Sequence, residues 1–135
     1  MNSRFVFDTN TLVSAALFST SIPRIALDKA LVTGFLLISE PTSLELVTVL
    51  LRAKFDRYLQ RGKRELFLAS FLQQTQLIEI SEVIRACRDS KDDKFLDVAV
   101  NGQADIIVTS DNDLLVLRPF RNISIVTPRN FVDLF

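Results

Sequence analysis

The chain of 135 residues carries 16 basic and 16 acidic side chains, so its net charge of zero gives no general attraction for nucleic acid. It has no histidine and one cysteine, Cys87, which excludes histidine general bases, Ser-His and Cys-His nucleophile pairs, and zinc sites built from histidines or several thiolates. Chemistry near neutral pH must therefore depend on carboxylates, lysines, hydroxyls or a bound metal ion.

The length predicts a single domain over residues 1–135. The opening residues, MNSRFVFDTN, place an acid among the first apolar residues and do not resemble a signal peptide. No apolar stretch approaches the roughly 18 residues of a membrane span, and a lone cysteine is compatible with a reducing compartment. We therefore expect a cytoplasmic protein with no membrane partner.

Apolar residues alternate along the chain between strand and helix periods. In chain order we predict a strand at 4–7, helices at 11–18 and 22–33, a strand at 35–39, helices at 41–55 and 63–74, a strand at 76–80, a helix at 92–101, strands at 104–110 and 124–126, and a last helix that begins at Pro128. Ser21 as N-cap, Pro23 in the first turn and Gly34 past the end define the helix at 22–33. Apolar strands that alternate with helices predict an α/β three-layer sandwich around a parallel sheet of about four to five strands.

Acidic residues occur where such a sheet binds ligands, beyond the carboxyl ends of its strands. Asp8 follows the first strand, and Glu45 lies in or near the first turn of the helix after the second. Asp92 and Asp93 open the helix before the fourth strand, and Asp111 follows that strand. If the first and fourth strands are neighbours, these acids converge in one crevice.

Each acid alone is explained by capping, turn formation or the helix dipole, and we interpret Asp89 and Glu82 as loop and surface charges. A cluster is different, because two unit charges at 4 Å repel by roughly 4 kcal/mol against a domain stability of roughly 5–15 kcal/mol. Lys91 and Lys94, the nearest cations in sequence, could offset only part of this repulsion. Carboxylates without histidine or thiolate favour Mg²⁺ or Mn²⁺, ions that activate water for phosphodiester hydrolysis.

Three segments resemble the PIN-domain family: FDTNTLVSAAL, ISEPTSLELVTVLLRAKF and DDKFLDVAVNGQADIIVTSDNDLL. The resemblance is closest to its VapC-like members, described as toxin components of toxin–antitoxin pairs. It implies a PIN-like parallel sheet between helices and a metal-dependent endoribonuclease that cuts single-stranded RNA. It also implies a cognate antitoxin and a homodimer as partners.

The resemblance also implies which residues form the site. The catalytic and metal-binding residues would be Asp8, Glu45, Asp93 and Asp111. Asp92 is a close rival of Asp93 for the third position. Further candidates are Asn10, two residues after Asp8, the pair Thr109 and Ser110 before Asp111, and Asp113 as an additional acid.

A basic segment is the candidate RNA surface, although a solvated edge between a helix and a loop explains it equally well. Residues 52–64 contain six basic residues and one acid, Asp56, whereas residues 79–113 contain nine acids and four bases. The predicted RNA-binding residues are Arg52, Lys54, Arg57, Arg61, Lys63 and Arg64. Tyr58, Phe55 and Phe67 could stack on bases, but aromatic residues at helical spacing more often lie in a core.

Other functions stay open. FDTNTLV resembles the opening motif of haloacid-dehalogenase-like phosphatases, but Asn10 stands where that motif has its second acid. A receiver-like signalling domain needs paired acids after the first strand and a lysine after the last, and neither is present. A non-catalytic module that holds a structural cation or a basic partner is the remaining alternative.

Overall fold

A computed structural model describes residues 3–135. The strands are β1 Ser3–Phe7, β2 Gly34–Ile38, β3 Thr75–Leu77, β4 Ile106–Val108 and β5 Ser124–Val126. The helices are α1 Thr9–Leu17, α2 Ile22–Thr33, α3 Glu40–Leu50, α4 Arg61–Gln73, α5 Asp93–Asn101, α6 Asn112–Leu115 and α7 Pro128–Leu134, with short 3₁₀ turns at Ala53–Phe55 and Ser90–Asp92. Within residues 3–135, every helix is too short or too polar to be a membrane span.

The sheet has the order β3-β2-β1-β4-β5, and all of its neighbouring strands are parallel. The predicted α/β class is therefore confirmed. The strand order reverses at β1, because β2 and β3 extend the sheet on one side while β4 and β5 extend it on the other. Phe7 pairs with Val108, and the Asp8 amide donates to the Val108 carbonyl at 3.2 Å, so the chain segments after β1 and β4 leave the sheet side by side.

The two faces of the sheet are covered by different helices, as the alternation of side chains along a strand requires. Phe5 and Phe7 of β1 pack with buried residues of α1, α2, α3, α4 and α7, whereas Val6 packs with α5 and α6 on the opposite face. This confirms the predicted three-layer arrangement. The carboxyl ends of the strands form one edge between the layers, and the candidate acids lie there.

Three predicted elements are clearly longer than those observed, and one of them is the strand predicted at 104–110, which is limited to Ile106–Val108. The helix predicted at 41–55 ends at Leu50, because the Arg64 guanidinium donates hydrogen bonds to the carbonyls of Leu50 and Arg52 at 2.8 and 3.1 Å. The strand predicted at 76–80 ends at Leu77, where β2, its partner, also ends at Ile38. The short helix α6, which the sequence did not suggest, begins after Asp111.

Candidate metal centre

Asp8 is a buried carboxylate at the point where β1 becomes α1. As the N-cap of α1, it accepts the Thr11 amide on Oδ1 at 3.0 Å, and Oδ2 accepts the Thr109 hydroxyl at 2.5 Å. The residue is only 5% exposed. Burial raises the pKa of Asp8, the hydrogen bonds from Thr109 and Thr11 oppose that rise, and the charge of Asp111 adds to it. The side chain is thus fixed by its hydrogen bonds in a position that disfavours its charge.

Asp111 lies beside Asp8 because Thr109 connects the two. The fully buried Thr109 hydroxyl donates to Asp8 and accepts the Asp111 amide at 2.9 Å. Asp111 is the N-cap of α6, and its Oδ1 accepts the Asp113 amide at 2.9 Å. Thr109, a secondary candidate from the sequence, therefore positions both acids and has no free surface of its own. Ser110 is exposed and lines a cavity with Asp8 and Asp111.

Asp92 and Asp93 are adjacent in sequence, but their carboxylates have different surroundings in the structure. Asp92 lines the same cavity as Asp8 and Asp111, and its Oδ2 is buried without a hydrogen-bond partner among residues 3–135. Burial, followed by the charge of Asp111, raises the pKa of Asp92 to about 7. Asp92, the alternative to Asp93 for the third position, thus faces Asp8 and Asp111.

Asp93, the residue preferred from the sequence, has one carboxylate oxygen occupied by backbone amides. Its Oδ1 accepts the amides of Ala86 and Cys87 at 3.1 and 2.8 Å. Desolvation tends to raise the pKa of Asp93, but the Cys87 and Ala86 amides outweigh it and lower the value. Burial and the neighbouring Asp93 raise the pKa of the Cys87 thiol to about 12, which keeps it protonated and unsuited to nucleophilic attack.

A further acid, Asp89, joins the cluster although its sequence position suggested a surface charge. Carboxylate oxygens of Asp89, Asp92 and Asp113 all lie within 4.8 Å of one another. Asp113 also accepts from Arg88 at 2.5 Å, so part of its charge is balanced by the protein. Asp89 caps the 3₁₀ turn that ends at Asp92.

Glu45 reaches the cluster from α3 with both carboxylate oxygens engaged. The Thr9 hydroxyl donates to Oε1, and the Lys94 ammonium donates to Oε2. Lys94 and Glu45 are both about a quarter exposed, at 25% and 28% of their side-chain surface. Glu45 is therefore held at the site by a hydroxyl and by a cation of the chain itself.

Two adjoining cavities of about 260 and 220 Å³ share Asp8, Asn10 and Asp111 in their walls. The larger cavity is lined by Asp8, Thr9, Asn10, Glu45, Val49, Arg52, Asp89, Lys91, Asp92, Phe95 and Asp111. Asn10 is exposed at the junction of the two. The acids thus face a solvent-accessible cleft that is large enough to admit a phosphate group and its ion.

The basic segment divides into one internal and five exposed residues. Arg52, which lines the acidic cavity, is exposed, and so are Lys54, Arg57, Arg61 and Lys63. Arg64 is 0% exposed, and it bonds to Asp56 and to the carbonyls of Leu50, Arg52 and Leu59. The prediction that Arg64 contacts RNA does not fit this position, because its guanidinium is consumed by the chain.

The donor set fits a hard divalent cation. The donors that converge on the cavity are carboxylate oxygens, the ligands that Mg²⁺ and Mn²⁺ prefer. The partnerless Oδ2 of Asp92 and the buried Asp8 supply negative charge that the protein does not fully balance. The group of Asp89, Asp92 and Asp113, whose carboxylate oxygens come together, could therefore bind a metal ion.

Comparisons with known proteins agree with this fold. The family model described as "PIN domain" matches residues 4–113. The uncharacterized protein MJ1680 of Methanocaldococcus jannaschii is 30% identical over 142 aligned positions, which cover 98% of this chain and 91% of the relative. The chain belongs to the PIN-domain family.

Two crystal structures are similar in fold. One is VapBC2 from Rickettsia felis bound to a DNA fragment from their promoter, with a TM-score of 0.57 and 15% identity over 92% of this chain and 98% of that chain. The other is PAE2754 from Pyrobaculum aerophilum, with a TM-score of 0.61 and 15% identity over 98% of this chain and 88% of that chain. At such low identity these likenesses show the fold alone, which is PIN-like.

Proposed function

We propose that the protein is a metal-dependent endoribonuclease that hydrolyses phosphodiester bonds of single-stranded RNA with Mg²⁺ or Mn²⁺. The observation that carries this proposal is the convergence of carboxylates from separate segments on one cleft, beyond the carboxyl ends of β1 and β4. Asp8, Glu45, Asp92 and Asp111 are the proposed catalytic and metal-binding residues. Asp92 takes the third position in place of Asp93, because Asp92 lines the cleft and has an unpartnered buried oxygen, whereas Asp93 is not among the residues that line the cleft.

The chain's own residues have distinct roles in this proposal. Asp8, Asp92 and Asp111 hold the cation, and Thr109 fixes the first and the last of them through its hydroxyl. When bound, the ion supplies Lewis-acid activation of water and neutralises charge on the phosphate. Asn10, exposed at the junction of the two cavities, is placed to donate to a phosphate oxygen.

Positive charge brings the RNA to this acidic cleft. Arg52 lies in the cavity wall, so a phosphate contact there is adjacent to the carboxylates. The proposed RNA-binding residues are Arg52, Lys54, Arg57, Arg61 and Lys63, without the buried Arg64. Such contacts make affinity depend strongly on salt, because binding releases counterions from the strand.

We further propose that residues 1–135 form a single domain. We also propose that the protein is the toxin of a toxin–antitoxin pair and that it forms a homodimer. The resemblance to VapC-like proteins and the fold likeness to a chain of the VapBC2 structure support the partner proposal. Co-expression with the product of the adjacent reading frame, followed by co-purification and a cleavage assay, tests it. A stable complex that no longer cuts RNA is the expected result, and two proteins that purify separately would contradict it.

The test of the ribonuclease proposal is incubation of the purified protein with a mixed-sequence single-stranded RNA in Mg²⁺, in Mn²⁺ and in EDTA. Cleavage is expected with either metal and not with EDTA. Asp8→Asn should abolish cleavage, whereas the matched control Asp133→Asn, an exposed acid on α7, should leave it intact. Activity that survives in EDTA or in Asp8→Asn would overturn the proposal.

The two rival functions predict different outcomes. A haloacid-dehalogenase-like phosphatase forms a phospho-aspartate at Asp8, which borohydride reduction and mass spectrometry would detect. A non-catalytic module binds Mn²⁺ or a partner but leaves RNA intact under all conditions. Intact RNA together with a phosphorylated Asp8 would establish the first rival, and intact RNA with metal binding alone would establish the second.

A further inference from the structure

Two aromatic side chains form an exposed pair outside the acidic cleft. The Phe18 ring, at the end of α1, meets the Tyr58 ring edge-to-face, with centroids 5.4 Å apart and an interplanar angle of 76°. Phe18 is 44% exposed and Tyr58 is 49% exposed. Their amides are bonded to Ser14 and Phe55 carbonyls at 3.0 Å, so both rings are carried on hydrogen-bonded backbone. Nearly half of each residue therefore stays open to solvent on a fixed scaffold.

Two cations lie on the same chain segment as Tyr58, and one of them is in contact with its ring. The Arg57 guanidinium lies 5.2 Å from the Tyr58 centroid, and the Lys54 ammonium lies 5.1 Å from the centroid of Phe55. Among residues 3–135, Arg52, Lys54, Arg57 and Lys63 form no ion pair, and the nearby Asp56 is taken by the buried Arg64. The surface thus offers half-exposed aromatic rings next to positive charge that is not paired with an acid, and the Arg57 guanidinium lies over the Tyr58 ring. That combination complements a strand with flat bases and a phosphate backbone.

Two chain segments lead from the acidic cleft to the pair. Asn10 and Arg52 both line the large acidic cavity, and Phe18 and Tyr58 touch at the other end of the same two segments. On α1, Ser14 lies one turn beyond Asn10, lines the adjoining cavity, and is followed after four residues by Phe18. At 1.5 Å per residue, Phe18 lies roughly 12 Å along α1 from Asn10. A strand can therefore reach both places at once.

We propose that Phe18 and Tyr58 form a base-stacking subsite for single-stranded RNA, which holds a nucleotide that flanks the phosphodiester at the acidic centre. This inference rests on the proposed ribonuclease function, because the strand it binds is the substrate of that site. Stacking on a ring tolerates every base, since each has a flat π face. Arg57 and Lys54 contact the adjacent phosphates.

The composition of the chain provides a direct probe. Tyr58 is the only tyrosine and the chain has no tryptophan, so the intrinsic fluorescence above the phenylalanine emission reports Tyr58 alone. The experiment uses the full chain carrying Asp8→Asn with Mg²⁺, titrated with a short single-stranded RNA and with an abasic ribose-phosphate oligomer of the same length. The RNA should quench the emission and the abasic oligomer should not. Free tyrosine amide in the same RNA solutions corrects for absorption by the bases.

Affinities measured with labelled oligomers complete the test. In the Asp8→Asn background, Phe18→Ala and Tyr58→Ala should each weaken RNA binding by about 5- to 150-fold, the range that corresponds to the stacking of one base. Binding of the abasic oligomer should stay unchanged. Tyr58→Phe keeps a ring and should keep the affinity. Val32→Ala, which truncates a side chain that is 86% exposed on α2, is the matched control and should have no effect.

Each contrary outcome has a distinct meaning. Equal losses for RNA and for the abasic oligomer would reduce the surface to electrostatics and overturn the subsite. Unchanged RNA affinity would also overturn it, and a dimer that disappears in Tyr58→Ala on sedimentation would then identify a contact between copies of the chain. Failure of the wild type to cut RNA while base-dependent quenching persists would contradict the ribonuclease and leave the stacking intact.

Discussion

Lys94 on α5 donates to a carboxylate oxygen of Glu45 on α3, at the wall of the acidic cleft. The other oxygen of Glu45 accepts the Thr9 hydroxyl, so the chain itself occupies both atoms that a cation would use. If a divalent ion binds Glu45 as proposed, Lys94 is expected to compete with it. This competition makes the lysine a point at which metal affinity can be changed without touching a ligand.

Lys94→Met should increase the affinity for Mn²⁺ several-fold, because it removes the competing ammonium. The pair is partly exposed, so the free energy of unfolding should fall by only about 0–1 kcal/mol. Isothermal titration with Mn²⁺ measures the first effect and urea denaturation the second. Lys63→Met, an exposed lysine on α4, provides the control. A lower Mn²⁺ affinity in Lys94→Met would mean that the ammonium orients Glu45 for the metal and does not compete with it.

Asp8→Asn and Asp8→Ala should differ in their effect on stability. Asparagine keeps an oxygen for the Thr11 amide and removes a charge that burial disfavours, so the melting temperature in EDTA should stay level or rise. Alanine removes the N-cap of α1 and should lower the free energy of unfolding by about 1 kcal/mol. Differential scanning calorimetry of both variants at neutral pH tests the difference. A melting temperature that falls as far in Asp8→Asn as in Asp8→Ala would show that the charge itself stabilises the fold.

The stability of the metal-free protein should fall as the pH rises from about 4 to about 7. Burial and the Asp111 charge raise the pKa of Asp92 from 3.8 to about 7, so in that window the folded chain binds more protons than the unfolded chain. The free energy of unfolding then decreases with rising pH, and the raised pKa of Asp8 acts in the same direction. Urea denaturation at several pH values in EDTA measures the slope, which should be shallower in Asp92→Asn. A slope that is unchanged in this variant would place the titrating group elsewhere.

Mn²⁺ should stabilise the wild type through Asp92 and not through Asp93. A ligand at about 100 times its dissociation constant adds about 2.7 kcal/mol to the free energy of unfolding. Asp92→Asn should lose most of this gain. Asp93→Asn should retain it, because the amides of Ala86 and Cys87 occupy the Asp93 oxygen in the fold. The reverse pattern in thermal-shift titrations would restore Asp93 as the ligand predicted from the sequence.

Arg64→Met should lower the free energy of unfolding by about 3 kcal/mol or more, because removing a fully buried guanidinium leaves its carbonyl partners and Asp56 unpaired. Arg61→Met is the matched control. Arg61 pairs with Glu65 on the exposed surface of α4, a contact worth at most about 1 kcal/mol. Guanidinium chloride denaturation of the two variants measures the difference. Equal losses would contradict the structural role assigned to Arg64.

The fold was predictable wherever local chemistry determines an element. The bounds 22–33 were correct because Ser21 caps the helix, Pro23 starts it and Gly34 ends it. The strand at 124–126 was also correct. The predicted helix beyond Leu50 was wrong because a long-range contact from Arg64 decides where α3 ends, and no local signal carries that contact.

The arrangement of the candidate site could be predicted in part from the sequence, and its role as a metal site stays a prediction. The order of acids after strands located Asp8 and Asp111, but a helix start shared by Asp92 and Asp93 does not reveal which carboxylate turns inward, since adjacent residues on a helix point about 100° apart. The sequence also does not show which residue of a basic run is buried, so Arg64 was predicted to be exposed like its neighbours. The place of Asp89 in the cluster depends on how the segment before α5 folds back, which periodicity does not report.

The Arg64 guanidinium connects the end of α3 to the turn before α4 and so holds the backbone of the basic segment, residues 52–64, from inside the fold. The carbonyls of Leu50, Arg52 and Leu59 meet on one internal side chain, so the loop between them keeps its course whatever its outward side chains are. Substitutions at its solvent-facing positions can diversify what the loop recognises while the scaffold stays constant. It is a natural place to retarget the protein by design.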